Sequence, residues 1–169
     1  MADSVRKLIY EQMWSILSDD STFTYIKTRQ RGYVPTSPDL LSSTMFPWAF
    51  IEFDNISEIS VNRMPLNFKM DYSLSLVVMT YADKMGVAGL VYNSDSINTN
   101  KGIGDMIDDI LNVFHGKWKQ PRFGVVGVID WRILGVNSPN VPGIMRLTTF
   151  NELIRAKQID FGFTIEDRQ

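Results

Sequence analysis

The stretch Phe68–Tyr81, FKMDYSLSLVVMTY, constrains the fold more than any other part of this sequence. Its apolar residues fall mostly on one parity, whereas Lys69, Asp71, Ser73 and Ser75 fall on the other. This period-two alternation predicts a half-buried β-strand with one face on a core. At ~3.3 Å per residue the strand would extend about 45 Å, although strands usually have about five or six residues. We therefore predict that part of it projects beyond the core of one subunit.

The segments around this strand predict further sheet. Ile56–Arg63 is expected to pair with it as an extended hairpin, at about residues 56–81, and Pro65 in the connecting turn lacks a ladder donor. Residues 28–46 contain two prolines, a glycine and many hydroxyls, which predicts a long loop. Loops longer than about 12–15 residues tend to be functional or disordered. Further extended segments are predicted at Phe23–Lys27, Trp48–Asp54, Phe123–Asp130, Trp131–Val136 and Ile159–Glu166.

Helical periodicity predicts a first helix near the N-terminus. Asp3 or Ser4 can cap it, and it is expected to end near Ser18. Tyr10 and Trp14 widen its apolar arc beyond one face. This helix is either wedged between the sheet and a loop or contacts another subunit on its outer side.

A second helix is predicted after a cap at Thr99 or Asn100, closing at His115-Gly116. Its one-sided apolar stripe comprises Ile103, Met106, Ile107, Ile110, Leu111 and Phe114. The order of helix, strands, helix and strands predicts one α+β domain over residues 1–169. Its mixed or antiparallel sheet would carry the long hairpin, and both helices would pack on one face.

Composition narrows the functional classes. The 169 residues carry 17 basic and 19 acidic side chains, a formal net charge of -2, which argues against a dedicated nucleic-acid-binding surface. The absence of cysteine excludes disulfides, thiolate catalysis and cysteine-ligated zinc. The N-terminal residues lack the apolar run of a signal peptide, and no segment approaches ~18 uninterrupted apolar residues. We expect a soluble protein, or one that joins an assembly after being soluble.

The sequence offers only weak candidates for catalytic, metal-binding or phosphate-binding residues, so we predict that the protein is not an enzyme and binds no cofactor or metal. Asp105, Asp108 and Asp109 could ligate a divalent cation, but near a helix N-terminus they also simply favour the macrodipole. His115 is the only histidine and has no nucleophile motif near it. The glycines of NKGIGDM, residues 100–106, lack the rest of a dinucleotide fingerprint or a P-loop, and a helix start explains them equally well.

Two clusters interleave basic and aromatic side chains. Lys27, Arg29, Arg31 and Tyr33 form the first, and Lys117–Phe123 contains the second. Such clusters can bind single-stranded nucleic acid, but arginine and aromatic residues are also enriched at protein interfaces. Without a basic excess, the interface interpretation is favoured.

The element order resembles a family of bacteriophage proteins. A helix at Val5–Leu17 is followed by a loop, the strand FPWAFIEF and a long hairpin at Glu58–Tyr81. The helix GIGDMIDDILNVF and paired strands ending in IDFGFTIE come next. This pattern is similar to that of the tail terminator, or tail completion, proteins of tailed phages, including the lambda type. The resemblance covers most of the chain and rests on pattern rather than on a sharp motif.

The resemblance implies a structural virion protein of the tail and neck, assembled in the host cytoplasm. It would form a hexameric ring that caps the tail tube, stops tube polymerisation and presents the head–tail joining surface. Its partners would be further copies of itself, the tail tube protein and the head–tail connector protein, and the genome would pass through the lumen without specific contacts. No membrane partner is implied. Contacts with the neighbouring subunit and tube are predicted for Trp14, Arg29, Arg31, Tyr33, Arg63 and Met64.

Three alternatives remain open. The chain could be another phage neck, tail tube or baseplate protein, because tube proteins also build rings with long hairpins. It could be a small nucleic-acid-binding module that uses the Lys27–Tyr33 or Lys117–Phe123 cluster. An enzyme of unrecognised type is the third.

Overall fold

The computed structural model describes residues 4–31, 43–52, 68–81, 101–117, 121–140, 144–145, 148 and 154–167. These residues form an α+β fold with one mixed sheet of five strands in the order β1-β2-β3-β5-β4. This confirms the predicted fold class. The elements are helices α1 (Val5–Asp19) and α2 (Ile103–Asn112) and strands β1 (Thr28–Arg31), β2 (Trp48–Glu52), β3 (Phe68–Tyr81), β4 (Val128–Asn137) and β5 (Ile154–Asp167).

Strand β3 has the predicted bounds, and β5 explains its length. The two strands pair antiparallel without interruption, from Phe68 opposite Asp167 to Tyr81 opposite Ile154. Each strand thereby satisfies one full edge of the other within a single subunit. A partner subunit is therefore not needed to account for 14 residues of extended chain. The hairpin partner that we predicted, Ile56–Arg63, lies outside the described residues.

The two faces of β3 are buried to different extents along its length. Tyr72, Leu74, Leu76 and Val78 point into the main core, which the helices cover. On the opposite face Val77 and Met79 are also fully buried, in a second core with Phe46, Trp48 and Phe50. The half-buried interpretation therefore fails for the C-terminal half of β3. That half is a central strand with apolar side chains on both faces.

Helix α1 begins where its cap predicts. The Ser4 hydroxyl accepts the N–H of Lys7 at 3.3 Å, which satisfies one donor of the first turn. Ile9, Met13, Ile16 and Leu17 are buried against the sheet. Within the described part of the chain, neither helix is long and apolar enough to cross a membrane.

Helix α2 begins later than the predicted caps at Thr99 or Asn100. Gly102 occupies the N-cap position, and the Asp105 carboxylate reaches back to accept its N–H at 3.0 Å. The apolar stripe faces the core as predicted, with Met106, Ile110 and Phe114 fully buried. The helix continues as a π-turn over Val113–Lys117, so His115 and Gly116 lie within its last turn.

The region around β1 departs from the prediction. The predicted strand Phe23–Lys27 starts instead with a 3₁₀ turn at Ser21–Phe23, capped by Asp20, whose carboxylate accepts the N–H of Thr22 at 2.8 Å. The strand begins at Thr28, at the start of the predicted long loop, and pairs parallel to β2. Parallel strands are joined by long connections, so no local hairpin signal in the sequence marks where β1 begins.

Two predicted segments, Phe123–Asp130 and Trp131–Val136, form one strand preceded by turns. β4 spans Val128–Asn137 and pairs with β5, with register shifts between Val128 and Asp130 and between Ile133 and Gly135. Phe123 instead adopts a positive φ of 54°. Its ring is fully buried among Phe114, Trp131 and Phe163, and this packing holds the backbone in the left-handed region.

Candidate interaction surfaces

An arginine-aromatic cluster joins α1 to β1. The Arg31 guanidinium lies 4.5 Å from the Trp14 ring centroid and 5.6 Å from that of Tyr10. The same guanidinium pairs with the Glu11 carboxylate at 2.9 Å. Two of the predicted contact residues, Arg31 and Trp14, are thus brought together by the fold. The cluster combines cation–π attraction with a half-exposed ion pair, and it presents a mixed aromatic and charged surface.

The remaining predicted contact residues have different surroundings. Arg29 is half-buried, and its Nη2 donates to the carbonyl oxygen of Phe23 at 2.7 Å. This bond ties β1 to the preceding turn, so Arg29 has a structural role within the subunit. Tyr33, Arg63 and Met64 lie outside the described residues.

In their described residues, the two basic-aromatic clusters do not present free aromatic rings on which the bases of a single-stranded nucleic acid could stack. Phe123 is fully buried in the core, so its ring cannot stack on a base. Arg29 is engaged with Phe23, and Arg31 covers the Trp14 ring. Lys27 is exposed. Both clusters also include residues outside the described part.

The acidic residues of α2 are engaged in local contacts. Asp109 pairs with the Lys101 ammonium at 2.5 Å, while Asp105 accepts the N–H of Gly102. Asp108 is exposed. Within the described part of the chain, no group of three acidic or histidine side chains is arranged to hold a metal. The exposed His115 ring stacks at 6.4 Å from Trp131.

Two buried tyrosines have raised pKa values. Burial raises the pKa of Tyr25 strongly, and the nearby negative charge of Asp109 raises it further. The Lys101 ammonium lies 4.7 Å from the Tyr25 ring centroid. Burial likewise raises the pKa of Tyr72 to about 12, although Arg6 opposes the shift.

The raised pKa values predict a loss of stability in alkali. The folded chain favours the neutral form of Tyr72. This preference contributes fully to the free energy of unfolding below the unfolded pKa of 10.0, and the contribution is lost as the pH rises toward about 12. Tyrosinate absorbance of the native protein should therefore show a late-titrating component. Tyr25→Phe with Tyr72→Phe should remove that component and flatten the fall in unfolding free energy above pH 10. An unchanged titration curve in the double variant would contradict the assignment.

A polar network on the second face of the sheet links β3, β5 and β4. The Asp160 carboxylate accepts from Ser75 Oγ at 2.6 Å, from Gln158 Nε2 at 2.7 Å and from Asn137 Nδ2 at 2.8 Å. Ser75 and Gln158 are almost fully buried. The polar types and strand parity of Ser75 and Asp160 predicted a solvated face, so sequence reasoning missed the network. Since these side chains satisfy one another's hydrogen bonds across three strands, we expect the network to favour the observed strand register.

The outer edge of β4 is the first surface suited to a partner. No described strand pairs with this edge, which runs for ten residues. Exposed apolar side chains stand on the faces of this edge strand: Leu134, whose side chain lies over Gly162 of β5, is 52 % exposed, and Ile129 and Val136 are also exposed. We call Ile129, Leu134, Val136 and the strand that carries them the β4 edge. A long edge strand with exposed apolar residues favours association with another chain.

Two further features lie at opposite ends of the β4-β5 pair. At one end, a tight turn at Val125–Val128, the Val126 turn, leaves Val126 83 % exposed. At the other end is a groove of about 540 Å³, the Arg155 groove. Its lining includes Ile103, Ile107, Met145, Ile154, Arg155 and Lys157. It is thus an apolar cleft with two cationic side chains.

Comparison with known proteins adds no family to this geometry. The sequence matches no family model and no curated protein. The functional argument therefore rests on the surfaces that the described residues present, and above all on the β4 edge.

Proposed function

We propose that this chain is a structural protein of a phage tail, which assembles into a closed ring that caps the tail tube. The ring ends tube polymerisation at one face and offers the head connector a joining surface at the other. Its mechanism is geometric rather than catalytic: it matches the tube's symmetry and withholds a further tube-like face. Head-to-tail contacts of identical subunits close into a ring when the rotation between them closes.

The β4 edge is the observation that supports assembly most directly. Monomers usually blunt a long edge with charges, prolines or a covering element. β4 does carry exposed charges at Asp130 and Arg132 and two register shifts, but Leu134 and Val136 are also exposed to solvent in the described part of the chain. The order of helices and strands, similar to that of tail terminators, directs the assembly interpretation towards a ring on a tail tube.

The proposal is tested by the mass and shape of the particle. Light scattering and negative-stain microscopy would be performed with and without purified tail tubes. Closed rings that do not grow, or subunits that cap tube ends, are the expected results. Long self-assembled tubes would favour a tail tube protein instead. A monomer that ignores tubes at every concentration would contradict the proposal.

Lysines on the β4 edge should abolish assembly without unfolding the subunit. We expect Leu134→Lys with Val136→Lys to yield monomers, because two unpaired ammonium groups would have to be desolvated at the interface. The matched control, Leu134→Met with Val136→Ile, keeps the edge apolar and should still assemble. Sedimentation velocity would give the mass, and circular dichroism would verify the fold. Full assembly of the lysine variant would remove the β4 edge from the interface.

A further inference from the structure

We infer that two β-bulges in β4 keep its free edge from pairing with the same edge of a second copy. The inference goes beyond the proposed function, because it concerns backbone pairing at this edge and holds whether the subunit joins a ring or remains alone. Side-chain contacts at the β4 edge stay open to a partner, whereas a continuous backbone ladder does not. The register of β4 and the glycine beneath one bulge support the inference.

The two register shifts of β4 are single-residue insertions. The residues on either side of Ile129 pair with adjacent residues of β5, and so do those on either side of Leu134. Ile129 and Leu134 are therefore the extra residues of two bulges. As a result, the ten residues of β4 oppose only eight of β5, from Gln158 to Ile165. An extra residue interrupts the ladder, bends the strand and increases its local twist.

The bulges leave no long regular stretch on the side of β4 that no described strand pairs with. They divide the strand into runs of one, four and three residues, of which Asp130–Ile133 is the longest. Asp130 and Arg132 in this run are exposed and charged. Strands usually have about five or six residues, so a run of four offers a second copy few backbone hydrogen bonds. Bulges and charges are means by which native sheets avoid edge-to-edge pairing.

Gly162 of β5 accommodates the second bulge. A Cβ at this position would lie 3.0–3.2 Å from three carbon atoms of the Leu134 side chain. That side chain therefore lies over the backbone of β5, and a larger residue at position 162 would displace it. Glycine usually weakens a strand because it has no side chain to pack. Here it makes room for the inserted residue, so the bulge is supported by the packing of the neighbouring strand.

Removal of the two extra residues would produce a regular strand without moving the others. A one-residue insertion normally turns all the following side chains to the opposite face of a sheet. In β4 the bulges absorb both insertions, so the paired residues on either side already alternate in step with β5. Deletion of Ile129 and Leu134 therefore leaves Ile133 opposite Phe161 and every other pair intact, in one run of eight residues.

A variant that lacks both Ile129 and Leu134 tests the inference. It should form a two-fold dimer in which the β4 strands of two copies pair, and sedimentation velocity would give its mass. Amide hydrogen exchange within β4 should slow at least about 10-fold, because the free N–H groups gain partners. If exposed apolar area alone governed association, the same deletion would weaken it, since both side chains are exposed. The two explanations thus predict opposite results.

The matched control is Ile129→Ala with Leu134→Ala, which removes the large apolar side chains but keeps both bulges. Its β4 amides should exchange as fast as those of the natural chain. Equal mass and equal exchange in the deletion variant and this control would overturn the inference. Tube capping by the natural chain, measured in parallel, judges the proposed function separately. Rings of the natural chain without strand pairing in the deletion variant would leave that function standing, and the reverse result would leave only the inference standing.

Single deletions keep the test decisive if the double variant does not fold, as judged by circular dichroism. Deletion of Leu134 alone leaves a regular run of seven residues, and deletion of Ile129 alone leaves a run of five. The first should dimerise more strongly than the second, because the longer run forms more backbone hydrogen bonds. Unfolding of both single variants would show that the extra residues serve the packing of the subunit itself, and would overturn a role at the edge.

Discussion

Replacing Phe161 with alanine should lower the free energy of unfolding by about 3–5 kcal/mol. Phe161 is fully buried at the centre of β5, where it pairs with Leu74 of β3 and Ile133 of β4. Its ring centroid lies 4.9 Å from that of Phe114 on the π-turn that follows α2. The substitution would leave a cavity bounded by the sheet and the helix, which neither can easily close. Urea denaturation with a linear extrapolation measures the loss.

Phe161→Leu is the matched control for this substitution. It removes the ring but keeps most of the apolar volume, and it should cost about 1–2 kcal/mol. Ile129→Ala, which truncates an exposed side chain, should have little effect on monomer stability. If Phe161→Ala cost no more than Phe161→Leu, the packing of the α2 region on β5 would not be as tight as the structure indicates.

Removing the Asp160 carboxylate should cost about 2–4 kcal/mol. Asp160→Ala deprives Ser75, Gln158 and Asn137 of a shared acceptor, and two of these three side chains are almost fully buried. Buried donors without partners lose the hydrogen bonds that they would form with water in the unfolded chain. Thermal and urea unfolding should both report the loss.

Asp71→Ala is the matched control for Asp160→Ala. Asp71 lies on the same face of the sheet, is exposed, and accepts one hydrogen bond, from Thr164 at 3.0 Å. Its removal should have only a small effect, because water can replace the lost partner. Similar effects of the two substitutions would indicate that the Asp160 network does not hold the strands in register.

The candidate surfaces were only partly visible in the sequence. Arg31 and Trp14 were each predicted to lie at an interface, but their contact joins residues 17 positions apart in the chain, which no local pattern encodes. The apolar residues of the β4 edge are equally consistent with a buried central strand, because sequence periodicity does not reveal whether a strand lies at the edge of a sheet. The Arg155 groove joins α2 to the start of β5, so it exists only once these elements pack.

Local patterns in the sequence determined the elements whose burial follows a simple period. The bounds of β3, the Ser4 cap of α1 and the inward stripe of α2 follow from spacings of two and of three or four residues, which report which side chains leave water. The packing partners of those elements became evident only from the folded chain. The tertiary structure matched β3 with a strand of equal length, placed Val77 and Met79 in a second core and held Phe123 at positive φ. These outcomes depend on contacts between residues far apart in the chain, because such packing energies outweigh local backbone preferences.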